Sequence, residues 1–136
     1  MGFELYIQCF GKTEQLGIPL SAVRALFPIV EEKSEPNYCR VWYDSKNSCE
    51  VGITATPSNP EMLSGLFVNR PCSDFRLWDA LFSVLSMGSV VVFWPGGPPV
   101  VAAGTSSEKL PEDMVVALGS PRIADSAADL LRLVQE

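Results

Sequence analysis

The chain has 136 residues, a length suited to one domain that buries roughly two-thirds of the surface its unfolded form exposes. With 47% hydrophobic and 19% charged residues it is not a disordered chain. Its formal charge of −6 works against phosphate backbones and anionic membranes, and the absence of histidine removes the usual neutral-pH base, the Ser-His and Cys-His pairs and the commonest transition-metal ligand.

The N-terminal stretch "MGFELYIQCF" has no basic leader, and its alternation predicts a strand over 3–10, with Leu5, Ile7 and Cys9 on one side and Glu4, Tyr6 and Gln8 on the other. Gly2 meets no Ser or Thr at the sixth position, so a myristoylation signal is incomplete. "GKTEQLG" reads as a loop, and "IPLSAVRALFP" as a short helix opened by Pro19 and closed by Pro28. The acidic run 31–37 reads as a solvated connector. Strands at 38–44 and 49–55, joined by Ser45-Lys46-Asn47-Ser48, form a hairpin. "TPSNPEMLSG" reads as a turn-rich loop before a fourth strand at 66–70, giving an antiparallel meander.

The clearest helix runs from Ser73, its expected cap, to Gly88, with Leu77, Trp78, Leu81, Phe82 and Leu85 on one face. A buried strand at 90–94 follows. A helix between two strands is a crossover, which makes strands 66–70 and 90–94 parallel in one sheet. Residues 80–107 carry no charge, but Pro95, Gly96, Gly97, Pro98 and Pro99 interrupt any membrane-spanning helix there, so two buried elements around a turn fit better. A short edge strand at 100–103, a helix at 111–118 stopped by Gly119, a connector "SPRI" and a last helix from 125 or 126 to 134 complete the chain. The expected fold is α+β: a single domain over 1–136, in which one mixed, mainly antiparallel sheet of five or six strands packs against about four helices.

Chemistry-bearing motifs are sparse. Cys9, Cys39, Cys49 and Cys72 form no Cys-x-x-Cys and no zinc spacing; they read as free thiols of a reducing cytoplasm, with a Cys39–Cys49 bridge across the hairpin as the alternative. The Pro-Gly-Gly-Pro-Pro loop offers few N–H donors and is followed by extended apolar chain, so it reads as a rigid reversal and not as a phosphate cradle; Trp94 beside it is a contact candidate. Glu31-Glu32, Glu112-Asp113 and Asp125 with Asp129 specify no cleft, and no calcium loop occurs.

Two regions remain. The strand-to-helix junction 67–78 gathers Arg70, Cys72, Asp74 and Arg76, and Cys72 beside a helix start is the reactive-thiol candidate. It has neither a histidine to activate it nor a second cysteine nearby to resolve it, and Arg76 is expected to pair with Asp79 or Asp74. The second region is the outward side of the sheet. If Val41 faces the helices, Arg40 and Trp42 share the open face with Tyr6, a composition suited to protein contact. The partner-binding candidates are therefore Tyr6, Arg40, Trp42, Arg70, Asp74, Arg76 and Trp94, with no catalytic residue, cofactor or metal expected.

The resulting expectation is a non-enzymatic cytoplasmic module that binds a protein partner, such as an acidic inhibitor or immunity-type protein, without nucleic acid or membrane; a homo-oligomer is compatible with it. The alternative is a small redox or catalytic protein using Cys72.

Overall fold

Alternation places β1 (Glu4–Cys9) as expected, with Leu5, Ile7 and Cys9 buried and Gln8 exposed. The computed structural model describes residues 4–11, 17–33, 38–103 and 110–135. The loops expected at 11–17 and in the second half of 31–37 lie mostly outside them.

The hairpin is present. β4 (Tyr38–Asp44) and β5 (Asn47–Thr56) are antiparallel, and Asp44 Oδ1 accepts from the Lys46 N–H at 2.9 Å and from Asn47 Nδ2 at 3.0 Å to close the turn. β6 (Asn59–Asn69) extends the meander and is longer than expected. Residues 59–65 read as loop because Pro60 and its polar neighbours resemble turn chemistry. They form ladder instead, because β5 flanks them on one side and β2 (Ile18–Pro19) pairs with Leu63 and Met62 on the other.

Nine strands form one sheet among the described residues, not five or six. Its order is β3-β4-β5-β6-β1-β7-β8-β9, with β2 also on β6. The additional strands are short or lie at edges. β3 (Ile29–Lys33) occupies the start of the supposed acidic connector, where an edge strand tolerates charge and carries a register shift between Ile29 and Glu31. β9 (Arg122–Ala124) is the "SPRI" connector, and it pairs parallel with β8 (Val100–Ala102), so β8 is not an edge.

β6 and β7 (Val90–Phe93) are both antiparallel to β1 and therefore parallel to each other. The expected crossover is real, but β1 is inserted between its two strands. The crossover helix α2 (Phe75–Leu85) follows α1 (Leu20–Leu26) in the chain and precedes α3 (Glu112–Leu118) and α4 (Ala127–Gln135). The cap of α2 is Asp74 rather than Ser73.

Leu77, Trp78, Leu81 and Leu85 of α2, Leu130 and Leu133 of α4 and Val23 of α1 pack on Leu5, Ile7, Val41, Val51, Val68 and Val92, which all point to one side of the sheet. The helices of this core thus cover one face. α3 buries none of its residues. Among the described residues no helix is long and apolar enough to cross a membrane, and no three metal-ligating side chains gather.

The Gly/Pro loop is a tight turn. The Gly97 N–H donates to the Trp94 carbonyl at 3.2 Å, with Pro95 second and Gly96 third at φ 83°, the pattern of a type II turn. Trp94 is buried and lies over Gly97, where a Cβ would stand 1.9 Å from the indole.

Candidate functional site: the open face of the sheet

The strand phase decides which residues reach solvent. Val41 is fully buried, so Arg40 and Trp42 point away from the core, and Trp42 is 39% exposed. The Arg40 guanidinium carbon stands 5.2 Å from the centroid of the Trp42 ring, a cation–π contact along one strand.

The registers build a row across this face that no single strand discloses. Tyr38 of β4 is opposite Gly52 of β5, Gly52 opposite Phe67 of β6, Phe67 opposite Tyr6 of β1, and Tyr6 opposite Phe93 of β7. The four aromatic side chains touch in succession. Tyr38 meets Phe67 edge-on at 5.5 Å between centroids, Phe67 and Tyr6 are tilted at 6.3 Å, and Tyr6 stacks on Phe93 at 5.3 Å. Gly52 makes the row continuous: the Phe67 ring lies in the space of its missing side chain, so that a Cβ there would be 2.2 Å from the ring. All four rings are half-buried on the face opposite the helical core, and α3 adjoins the Tyr6–Phe93 end of the row.

A polar row runs beside the aromatic one, through Arg40, Glu50, Asn69 and Glu4 in register. The Tyr6 hydroxyl donates to Glu4 Oε2 at 2.8 Å, and this bond raises the Tyr6 pKa above its ordinary value. At the polar end a hollow of about 410 Å³ is lined by Tyr38, Arg40, Glu50, Asn69 and Arg70 among others. Arg70 turns the chain there with a left-handed φ of 51°, uncommon for a side chain of its size. At the opposite end a cleft of about 520 Å³ lies between Tyr6, Phe93, the 94–98 turn and Ala117 and Leu118 of α3. Trp94 contributes to its wall from a buried position.

Asp74 and Arg76 are engaged with each other. Arg76 Nε and Nη2 donate to the two Asp74 oxygens at 2.8 and 2.7 Å, Nη2 also reaches Asp44 Oδ2 at 3.3 Å, and the guanidinium covers the Tyr43 ring at 4.9 Å. The salt bridge expected to Asp79 or Asp74 therefore goes to Asp74 and Asp44. These bonds hold the Asp74 carboxyl at about 2, chiefly through the Arg76 side chain, with the Arg76 backbone N–H helping. The folded value lies below the ordinary carboxylate value of about 3.9, so the contribution is complete above that value and disappears as pH falls through 2. Between pH 4 and pH 2 the urea midpoint of the native protein should accordingly fall more steeply than that of Asp74→Asn, which keeps a capping side chain but does not titrate. Parallel curves for the two proteins would remove this role for Asp74.

No disulfide joins any of the four cysteines. Cys39 is opposite Val51 and Cys49 opposite Val41, a diagonal pair rather than facing residues, so the Cys39–Cys49 bridge is not formed. The expectation that Cys72 lacks a neighbouring cysteine is overturned. Cys49 precedes Glu50, which is opposite Asn69 at the end of β6; the chain reverses at Arg70, and Cys72 returns against the same core beside Cys49.

The structure thus brings Tyr6, Arg40, Trp42 and Arg70 onto the open face, holds Asp74 and Arg76 in an ion-paired cluster at the start of α2, and sets Trp94 behind the cleft. Sequence reading alone missed Tyr38, Phe67, Phe93 and Cys49. A glycine centred in an otherwise side-chain-rich strand was the available signal for an aromatic neighbour across the ladder. The chain matches no family model, no curated protein and no solved structure.

Proposed function

We propose that this protein is a non-enzymatic module that captures a protein partner on the open face of its sheet, through the row Tyr38–Phe67–Tyr6–Phe93 flanked by Arg40 and Trp42. The aromatic row carries this reading. Aromatic and arginine side chains are the residues that most often dominate interface energies: the rings bury large area with few rotatable bonds, and the guanidinium presents a rigid fork of donors. Five strands about 4.8 Å apart make the row roughly 20 Å wide, against roughly 30 Å for the patch of about 800 Å² that each partner contributes to a standard interface. Arg40 and Arg70 beside the row offer bidentate donors to carboxylates, and Glu4 and Glu50 offer acceptors, so a mixed polar rim surrounds an apolar centre.

The overall charge of −6 favours approach of a basic partner. A cytoplasmic inhibitor or immunity-type protein that neutralises an enzyme or toxin is the version of this reading that suits the size and charge of the chain.

The test is capture from native lysate on the immobilised protein, followed by affinity measurement with the purified partner. Arg40→Ala with Trp42→Ala should weaken binding about 30-fold or more with no change in unfolding temperature, as expected for two hot-spot residues. Asp79→Ala, on the exposed side of α2, should bind normally. Undiminished capture by the Arg40/Trp42 double variant would end this reading.

A further inference from the structure

We infer that Cys49 and Cys72 are a thiol pair that a low-molecular-weight disulfide oxidises to an intramolecular disulfide tying β5 to the entry of α2. This goes beyond partner capture and does not depend on it.

Position and access converge on this pair. Cys49 points to the core side of β5 one residue before Glu50, whose partner Asn69 ends β6; the left-handed turn at Arg70 and the buried Pro71 then carry Cys72 in beside it. The two thiols differ in access: Cys49 is 7% exposed, whereas Cys72 is half-buried and reachable. The hydroxyl of Tyr43 is a buried side-chain polar atom with no hydrogen-bond partner among the described residues, and burial, with the charge a Cys49 or Cys72 thiolate would carry, raises its pKa. The Arg76 guanidinium lies over the same ring. Trp78 Nε1 donates to the Cys72 carbonyl at 2.9 Å and fixes the backbone that presents the thiol.

The division of labour follows from access. The Cys72 thiolate attacks one sulfur of the disulfide, forming a mixed disulfide and releasing one thiol. The Cys49 thiolate then attacks the Cys72 sulfur and releases the second. Protein dithiol plus disulfide gives protein disulfide plus two small thiols, with two electrons and two protons passing to the reagent. Burial, with Cys72 alongside, pushes the Cys49 thiol up to about 12, so the second step is the slow one and should quicken about tenfold per pH unit between pH 7 and 9.

The experiment treats the folded, full-length protein with oxidised glutathione, quenches with acid and maps linkages after combined cleavage at basic residues and glutamate. Such cleavage leaves Cys49 on peptide 47–50 and Cys72 on peptide 62–76, since Arg70 precedes proline, and it separates both from Cys39. The expected product is the 47–50/62–76 cross-link with two of the four thiols lost, and Cys49→Ser should stop at a glutathione adduct on Cys72. A cross-link through Cys9 or Cys39, a stable mixed disulfide in the unsubstituted protein, or four unmodified thiols after prolonged exposure would each overturn the inference. The reading from the unsubstituted protein stands whatever the variant's folding.

Discussion

Trp78→Ala should destabilise the protein by about 3–5 kcal/mol, lowering the unfolding temperature by roughly 10–20 °C. Trp78 is the largest of the fully buried side chains. It sits on the face of α2 that meets the sheet and α4, so truncation opens a cavity where three layers of contact converge. A second loss adds to the first: the indole N–H bonds the Cys72 carbonyl, and without it that carbonyl stays unpaired beside the core. Trp78→Phe separates the two effects, because it keeps most of the packing and loses the donor; about 1–3 kcal/mol should remain. Urea unfolding followed by far-UV circular dichroism measures both. A midpoint for Trp78→Ala within the error of the unsubstituted protein would show that α2 is anchored elsewhere.

Gly52→Val should weaken partner capture more than tenfold while leaving stability nearly unchanged. Any β-carbon at position 52 collides with the Phe67 ring at 2.2 Å. The ring is the mobile end of a half-exposed side chain, so it swings away and the backbone stays put. The aromatic contacts of Phe67 with Tyr38 and Tyr6 are lost, each worth about 0.5–1.5 kcal/mol. Valine returns a comparable amount, since glycine costs roughly 0.5–1 kcal/mol in a strand interior and valine suits a pleated surface. The row is then cut in the middle with Tyr6 and Phe93 still stacked, and the binding loss should exceed tenfold. Proton NMR gives a partner-free check: ring-current shifts at Tyr38 should collapse, whereas those at Phe93 persist. Unmoved Tyr38 resonances would mean that Phe67 does not depend on the glycine.

These two sites differ in how far the amino-acid order discloses them. The face of α2 is legible, because Leu77, Trp78, Leu81 and Leu85 recur at helical spacing and no other element competes for the segment. The phases of β1, β4 and β5 are legible for the same reason at period two, which is why Arg40 and Trp42 are found where alternation puts them. The row itself is not legible, since it joins residues from four strands and depends on which strands are neighbours. The alternation of β1 is equally compatible with an edge and with its actual position between β6 and β7. Edge strands hide in a different way. Among the described residues β3 has a single neighbour, β4, so its pairing comes from one side alone and its acidic composition reads as a loop. The meeting of Cys49 with Cys72 depends on a left-handed arginine at position 70, a backbone choice that has no residue-type signature.

The central place of β1 governs how the molecule must assemble. Residues 38–69 can pair with their sequence neighbours as soon as they exist, but β1 has to wait for β6 and then β7, whose last residue is Phe93. During synthesis the opening strand therefore remains an unsatisfied apolar ribbon until most of the polypeptide has emerged, a period in which nascent-chain chaperones and aggregation compete for it. Once seated it joins β3–β6 to β7–β9 in one ladder, so excision of residues 4–9 would cleave the architecture into two incomplete halves rather than trim its border.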